Sequence, residues 1–231
     1  MSDLNEAWDL LQANDFTGAR AIFEEAIAQE PDNTEALFGL ARTWDCNSDF
    51  DRYLHLTDLD KAREIYETLI AEDEGDLESL YYLCRILMKE GQNEEALRRV
   101  EEGLRIDPQN PDLLSIKGML LFDKSDLEGS ESAHLAALRS AGAAHYLNEI
   151  ALIAMARDNF DRAEEILRLS LDIEPNACWA HRNLAQLLAD RGEWSGAMEA
   201  AKRYYETGGM EVDLEESIKE WEKNLAKEKG E

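Results

Sequence analysis

Apolar residues recur along this chain at the helical spacing i, i+3, i+4 and i+7, in stretches that short polar turns connect. Three turns are closely related: residues 13–16, 90–93 and 157–160. Each holds a polar residue or glycine that is followed at fixed distances by an alanine and a proline. These residues are Asn14, Ala19 and Pro31, then Gly91, Ala96 and Pro108, then Asp158, Ala163 and Pro175. The pattern predicts a repeated unit of helix, tight turn, helix and second turn.

The repeated unit extends over most of the chain. The predicted units are about 1–33, 34–76, 77–110, 111–143, 144–177 and 178–210. Extra residues interrupt the second unit near 47–58. A last amphipathic helix is predicted at 213–229, where Asp213-x-x-Glu216 fits a capping box and Leu214, Ile218, Trp221 and Leu225 form one apolar stripe. We expect this helix to cover the last repeat.

A period near 34 with small residues at fixed places resembles the tetratricopeptide repeat (TPR) family. The third unit carries the pattern best, with Leu80, Leu83, Cys84, Leu87, Gly91, Ala96, Val100, Gly103 and Pro108. The resemblance covers about nine-tenths of the chain. It implies an all-α fold, a right-handed TPR superhelix (α-solenoid) of about six helix-turn-helix repeats plus a C-terminal capping helix. It also implies a single domain over residues 1–231.

The chain of 231 residues is strongly acidic, with 51 Asp and Glu against 24 Lys and Arg and a formal charge of -27. Such a surface repels phosphate backbones and anionic lipids, so we expect neither nucleic-acid binding nor membrane insertion. No signal peptide or membrane span is visible, and the three cysteines suggest no disulfide framework. These features predict a cytoplasmic protein. Residues 1–76 hold 20 acidic and 5 basic residues, which would steer a basic partner towards this end.

Motifs for chemistry are scarce. The sequence has no Gly-rich phosphate loop, no nucleophile elbow and no zinc-type spacing of Cys and His. Asp45-x-Asn47-x-Asp49-x-Asp51 resembles the start of an EF-hand loop, but Phe50 replaces the glycine and Leu56 the final glutamate. Cys84 and His134 stand at core positions of the repeat. We therefore predict no enzyme activity, no cofactor and no metal.

The TPR resemblance implies that the first helix of each repeat lines a concave groove. Side chains next to the core stripe would face a partner there, and in this chain they are rich in aromatic residues and methionine. The predicted groove residues are Phe38, Arg42, Tyr81, Tyr82, Arg85, Met88, Ile116, Met119, Phe122, Leu152, Met155, Trp179 and Arg182. Methionine and aromatic side chains suit an apolar partner surface.

These residues predict a non-catalytic adaptor or chaperone-like module that binds an apolar helix or peptide segment, with a basic partner favoured by charge. Arg42 and Arg85 would pair with carboxylates of the partner. One alternative is that the 47–58 insertion fills the groove. The other is a homo-oligomeric scaffold in which a neighbouring copy fills it.

Overall fold

The computed structural model describes residues 4–45, 57–209 and 212–229. Every regular element in these ranges is an α-helix. The chain divides into two compact units, residues 1–108 and 109–231. The helices of the first unit are α1 Leu4–Gln12, α2 Phe16–Gln29, α3 Thr34–Trp44, α4 Leu59–Glu72, α5 Leu77–Lys89 and α6 Asn93–Ile106. Those of the second are α7 Pro111–Asp123, α8 Leu127–Ala141, α9 His145–Ala156, α10 Phe160–Ile173, α11 Cys178–Asp190, α12 Trp194–Glu206 and α13 Val212–Lys229.

Consecutive helices pack as antiparallel hairpins within each unit. In the first unit, α1 packs on α2, α3 on α4 and α5 on α6, and each hairpin also contacts the next one. The second unit repeats this arrangement with α7 to α12, and α13 packs on α12. Residues 47–56 of the predicted insertion lie outside the described residues. The prediction that the insertion fills the groove therefore stays a prediction.

The turn inside each hairpin has a local cause in the sequence. One residue of the turn adopts a left-handed backbone conformation in five hairpins: Asn14, Gly91, Ser125, Asp158 and Gly192. Asparagine, aspartate and glycine tolerate this conformation better than most residues do. The three turns that the polar pattern predicted at 13–16, 90–93 and 157–160 are therefore confirmed as tight helix-to-helix connections.

Side-chain caps start most of the helices. In seven helices the residue before the first turn accepts a hydrogen bond from a backbone N–H of that turn; these residues are Asp15, Asn33, Asp58, Asp76, Asn110, Asp126 and Asn159. Such a bond satisfies one of the backbone donors that a helix start leaves unpaired. The start of each of these helices is thus fixed by one short polar side chain.

Small residues let the two helices of a hairpin approach closely, as the repeat pattern predicted. The Cys84 Sγ lies 3.8 Å from the Ala96 carbonyl oxygen, across the α5–α6 contact. In the fourth hairpin the Ser130 hydroxyl donates to the Gly118 carbonyl at 2.8 Å. Cys84 and Ser130 are fully buried, so these contacts lie in the core and fix how the helices cross.

Arg20 of α2 contacts the C-terminal end of α3. Its guanidinium donates to the Thr43 carbonyl at 2.9 Å and to the Thr43 hydroxyl at 3.2 Å. The same group lies 3.3 Å from the centre of the Trp44 ring, and Lys61 lies 4.1 Å from it. Arg20 therefore caps a helix C-terminus and stacks on an aromatic ring at once.

We expect Arg20→Met to lower the free energy of unfolding by about 1.5–3 kcal/mol, because two hydrogen bonds from a charged group are lost. The measurement is urea unfolding followed by circular dichroism. Arg98→Met is the control, since the Arg98 side chain is 65% exposed in a surface ion pair with Glu95, which contributes little. Equal losses in the two variants would contradict the capping role of Arg20.

Candidate partner-binding surfaces

The predicted groove residues lie on the first helices of the hairpins, α3 and α5 in the first unit and α7, α9 and α11 in the second. Three are exposed: Met119, Phe122 and Trp179. Nine are half-buried: Phe38, Arg42, Tyr81, Tyr82, Arg85, Met88, Leu152, Met155 and Arg182. Ile116 is only 3% exposed. The expectation that Ile116 faces a partner is therefore corrected, since its side chain belongs to the core.

Aromatic rings cluster on the first unit. Phe38 lies 5.7 Å from Tyr82, and Tyr81 lies 5.0 Å from Tyr82, both in edge-to-face contact. Trp8 of α1 lies 6.2 Å from Phe38. Beneath them, the buried Tyr66 stacks on Tyr82 at 5.7 Å. We call the half-buried rings of Trp8, Phe38, Tyr81 and Tyr82 the aromatic surface; such rings supply a rigid contact area to a partner.

Both arginines predicted to meet a partner already contact tyrosines. The Arg42 guanidinium lies 4.0 Å from the Tyr82 ring centre and also donates to the Tyr82 hydroxyl. Arg85 lies 5.7 Å from the Tyr81 ring and 5.9 Å from the Tyr82 ring. Burial raises the pKa of Tyr82, and the Arg42 charge acts against this rise. The arginines thus hold the aromatic surface in place.

A cavity of about 490 Å³ opens beside the aromatic surface and is rimmed by acidic groups. Trp8 and Phe38 line it together with Glu35 and Glu78. The Trp8 indole N–H donates to the Glu35 carboxylate at 3.0 Å. The first unit therefore combines aromatic rings with carboxylates at the same opening.

Two cavities in the described part of the second unit share two lining residues, Glu149 and Leu152. The larger, about 490 Å³, lies beside α11 and includes Trp179 and Arg182. The smaller, about 150 Å³, lies beside α7 and includes Met119 and Phe122. We call the two cavities together the Glu149 cleft. The three exposed residues of the predicted groove, Met119, Phe122 and Trp179, all stand on its walls.

A hydrogen-bonded amide pair lies on the wall of the larger cavity. The Asn183 amide donates to the Asn148 side-chain oxygen at 2.9 Å, and both residues are buried. Arg182 donates to the Asn183 side-chain oxygen at 3.5 Å. Beside this pair stands Glu149, which is half-buried. Burial raises the pKa of Glu149, and a hydrogen bond from Asn148 acts against this rise.

Glu149 is the residue that the sequence reasoning missed. It stands two residues before Ala151, the small residue of its repeat, as Tyr82 does before Cys84. Asn183 has the same place before Ala185. Comparing this position in the three repeats would have set the acidic Glu149 apart from Tyr82 and Asn183.

Reactive groups are few in the described part of the chain. Cys84 is fully buried, and burial raises the pKa of its thiol to about 12, so it is an unreactive core residue, as predicted. Among the described residues, no group of His, Cys, Asp and Glu is arranged to hold a metal ion. No described helix combines the length and the apolar character needed to cross a bilayer.

Solved structures share this helical architecture at low identity. A chain of the APC/C hetero-tetramer Cut9–Hcn1 aligns with a TM-score of 0.76 at 18% identity, over 94% of this chain and 42% of that chain. TTC0263, a thermophilic TPR protein in Thermus thermophilus, gives 0.66 at 21%, over 80% and 97%. YrrB, described as a TPR protein with an unusual peptide-binding site, gives 0.51 at 19%, over 77% and 87%. This chain therefore spans less than half of the Cut9–Hcn1 neighbour.

Family models give a more direct result. A tetratricopeptide repeat model matches residues 10–45 and 53–120, a second matches 144–177 and a third 179–203. The comparison with curated proteins gives no match. The matched residues cover well over half of the chain and coincide with the helical hairpins, which confirms the predicted all-α TPR fold. The chain therefore belongs to the tetratricopeptide repeat family.

Proposed function

We propose that this chain is a protein-interaction adaptor, without catalytic activity, that binds an apolar helix or peptide segment of a partner protein on the first helices of its hairpins. The TPR fold supports a protein or peptide as the class of partner. A chaperone-like role towards apolar segments and a basic character of the partner are the finer parts of this proposal.

The observation that carries the proposal is the exposure of large apolar side chains at the mouth of the Glu149 cleft. Trp179 is 57% exposed, Met119 41% and Phe122 38%. Large apolar groups that stand exposed beside a cavity favour a binding surface, because a partner would remove them from water. YrrB, with its described peptide-binding site, supports the same kind of ligand for this fold.

The test is selection of short random peptides displayed on phage against the full chain, followed by fluorescence anisotropy with the selected peptides. We expect Trp179→Ala to weaken binding about 30-fold, equivalent to about 2 kcal/mol, as is typical of an aromatic anchor. Ile173→Ala is the matched control: Ile173 is 58% exposed but lies on α10, a second helix. We expect this variant to bind like the wild type.

Two outcomes would contradict the proposal. Peptides that bind Trp179→Ala as tightly as the wild type would show that the first helices are not the binding surface. A molecular mass that rises with concentration in light scattering, and that falls in Trp179→Ala, would show that a second copy occupies this surface. The homo-oligomeric scaffold would then be the better description.

A further inference from the structure

Glu149 stands where the two cavities of the Glu149 cleft meet. It belongs to α9 and lines both the cavity beside α11 and the cavity beside α7. Leu152, nearly one turn later on α9, lines both cavities as well. A ligand that entered either cavity would therefore reach the same carboxyl group and the same apolar side chain.

This carboxyl group has no counter-charge in the described part of the chain. Its one polar interaction there is the hydrogen bond from Asn148. The other titratable or charged side chains around the cleft are Asp123, His134, His145, Glu174, Cys178 and Arg182. None of them forms an ion pair with Glu149. His145 stands one turn before Glu149 on the same helix, and Arg182 donates to Asn183.

At the equivalent positions of two other repeats, the side chain has a hydrogen-bond partner on a neighbouring first helix. Tyr82 accepts a hydrogen bond from Arg42, and Asn183 donates one to Asn148. These side chains have strong partners within their own unit. Glu149 instead carries a charge that is partly withdrawn from water, and a cation from outside would stabilise it.

The residues around Glu149 indicate which kind of ligand would carry such a cation. Met119, Phe122 and Trp179 offer exposed apolar contacts around the cleft. A free metal ion or a small amine would leave these contacts unused. A lysine or arginine side chain has an apolar stem that packs on such residues while its charged end reaches the carboxylate. Residues 109–231 hold 24 acidic and 14 basic residues, so the second unit itself attracts basic segments.

We propose that the second unit binds a partner segment in which a lysine or arginine, flanked by apolar residues, forms an ion pair with Glu149. This inference rests on the proposed function and names the chemistry of the partner. The apolar flanks occupy the walls of the cleft, and the basic residue lies over α9. The hydrogen-bonded amides of Asn148 and Asn183 line the cleft beside this ion pair.

The test uses the full chain and the phage-selected peptides whose binding depends on Trp179. In each peptide, every lysine or arginine is replaced in turn by norleucine, which keeps an apolar stem without the charge. We expect one such replacement to weaken binding to the wild type about tenfold. With Glu149→Gln the charged and norleucine peptides are expected to bind equally. Glu165→Gln is the control, because Glu165 is an exposed carboxylate on the second helix α10.

The outcomes separate this inference from the proposed function. Trp179-dependent peptides that need no basic residue, or whose need for one survives Glu149→Gln, would overturn the ion pair and leave the adaptor intact. A library that yields no Trp179-dependent peptide would overturn both. Selected peptides in which a carboxylate is essential would point to Arg182 in place of Glu149. Retention of the circular dichroism spectrum in Glu149→Gln shows that the variant is folded.

Discussion

A Phe23→Ala variant is expected to lose about 3–5 kcal/mol of unfolding free energy, the cost of removing a fully buried aromatic ring. Phe23 of α2 is completely buried and contacts Trp8 edge-to-face at 5.2 Å. Its ring also occupies the space next to Gly39 of α3, where an added Cβ atom would lie 2.3 Å from it. Phe23 thus joins the first hairpin to the second. Urea unfolding followed by tryptophan fluorescence measures the loss.

Two further variants make this prediction specific. Phe122→Ala removes a phenyl ring from a position that is 38% exposed. This variant is expected to lose about 1 kcal/mol of unfolding free energy or less. Gly39→Ala is expected to destabilise the wild type by about 1–3 kcal/mol through overpacking, and less so when Phe23→Leu has made room. A loss for Phe23→Ala no larger than that for Phe122→Ala would show that the Phe23 ring is not a core residue.

The hairpins could be predicted because their signals are local. A left-handed residue such as Asn14 or Asp158 and a capping side chain such as Asp15 act within a few residues of themselves. The sequence therefore predicted the order of helices, and placed the last helix at 213–229 against the observed Val212–Lys229. A single solenoid over residues 1–231 and a cytoplasmic location remain predictions.

The surfaces were harder to predict because burial depends on neighbours from other helices. Successive residues of a helix point about 100° apart, so a position near the edge of the core stripe can fall on either side. Ile116 lies in the core, whereas Met119, three residues later, is 41% exposed. Arg42 and Tyr82 are far apart in sequence, so the periodic pattern does not predict their contact. The pattern equally does not predict that Glu149 forms no ion pair with the described residues around it.

The fourth repeat packs closely although the family-model matches leave residues 121–143 uncovered. Gly118 faces His134, and an added Cβ atom would lie 2.4 Å from the imidazole Nε2. Where α7 and α8 cross, the Ser130 hydroxyl also donates a hydrogen bond to the Gly118 carbonyl. His134 is only 2% exposed, and its Nδ1 has no hydrogen-bond partner among the described residues. The imidazole therefore serves as a packed ring, the role that an aromatic residue has in the TPR pattern.

This burial predicts a pH dependence of stability. Burial, with a smaller contribution from the nearby His145, lowers the pKa of His134 from 6.5 to about 4. Between these two values the unfolded chain binds a proton that the folded chain does not. Stability from His134 is therefore fully present above about pH 6.5 and is lost as the pH falls towards 4. The expected loss is about 3 kcal/mol.

His134→Phe separates this effect from the many carboxylates that titrate over the same range. The variant keeps a ring against Gly118, and its stability is expected to fall by about 3 kcal/mol less than that of the wild type between pH 7 and pH 4. His145→Gln is the control for an exposed histidine: it should differ from the wild type only through its smaller effect on the pKa of His134. Urea unfolding at several pH values measures all three. If His134→Phe lost as much stability as the wild type, His134 would take up its proton in the folded chain, and its imidazole would be reachable by water.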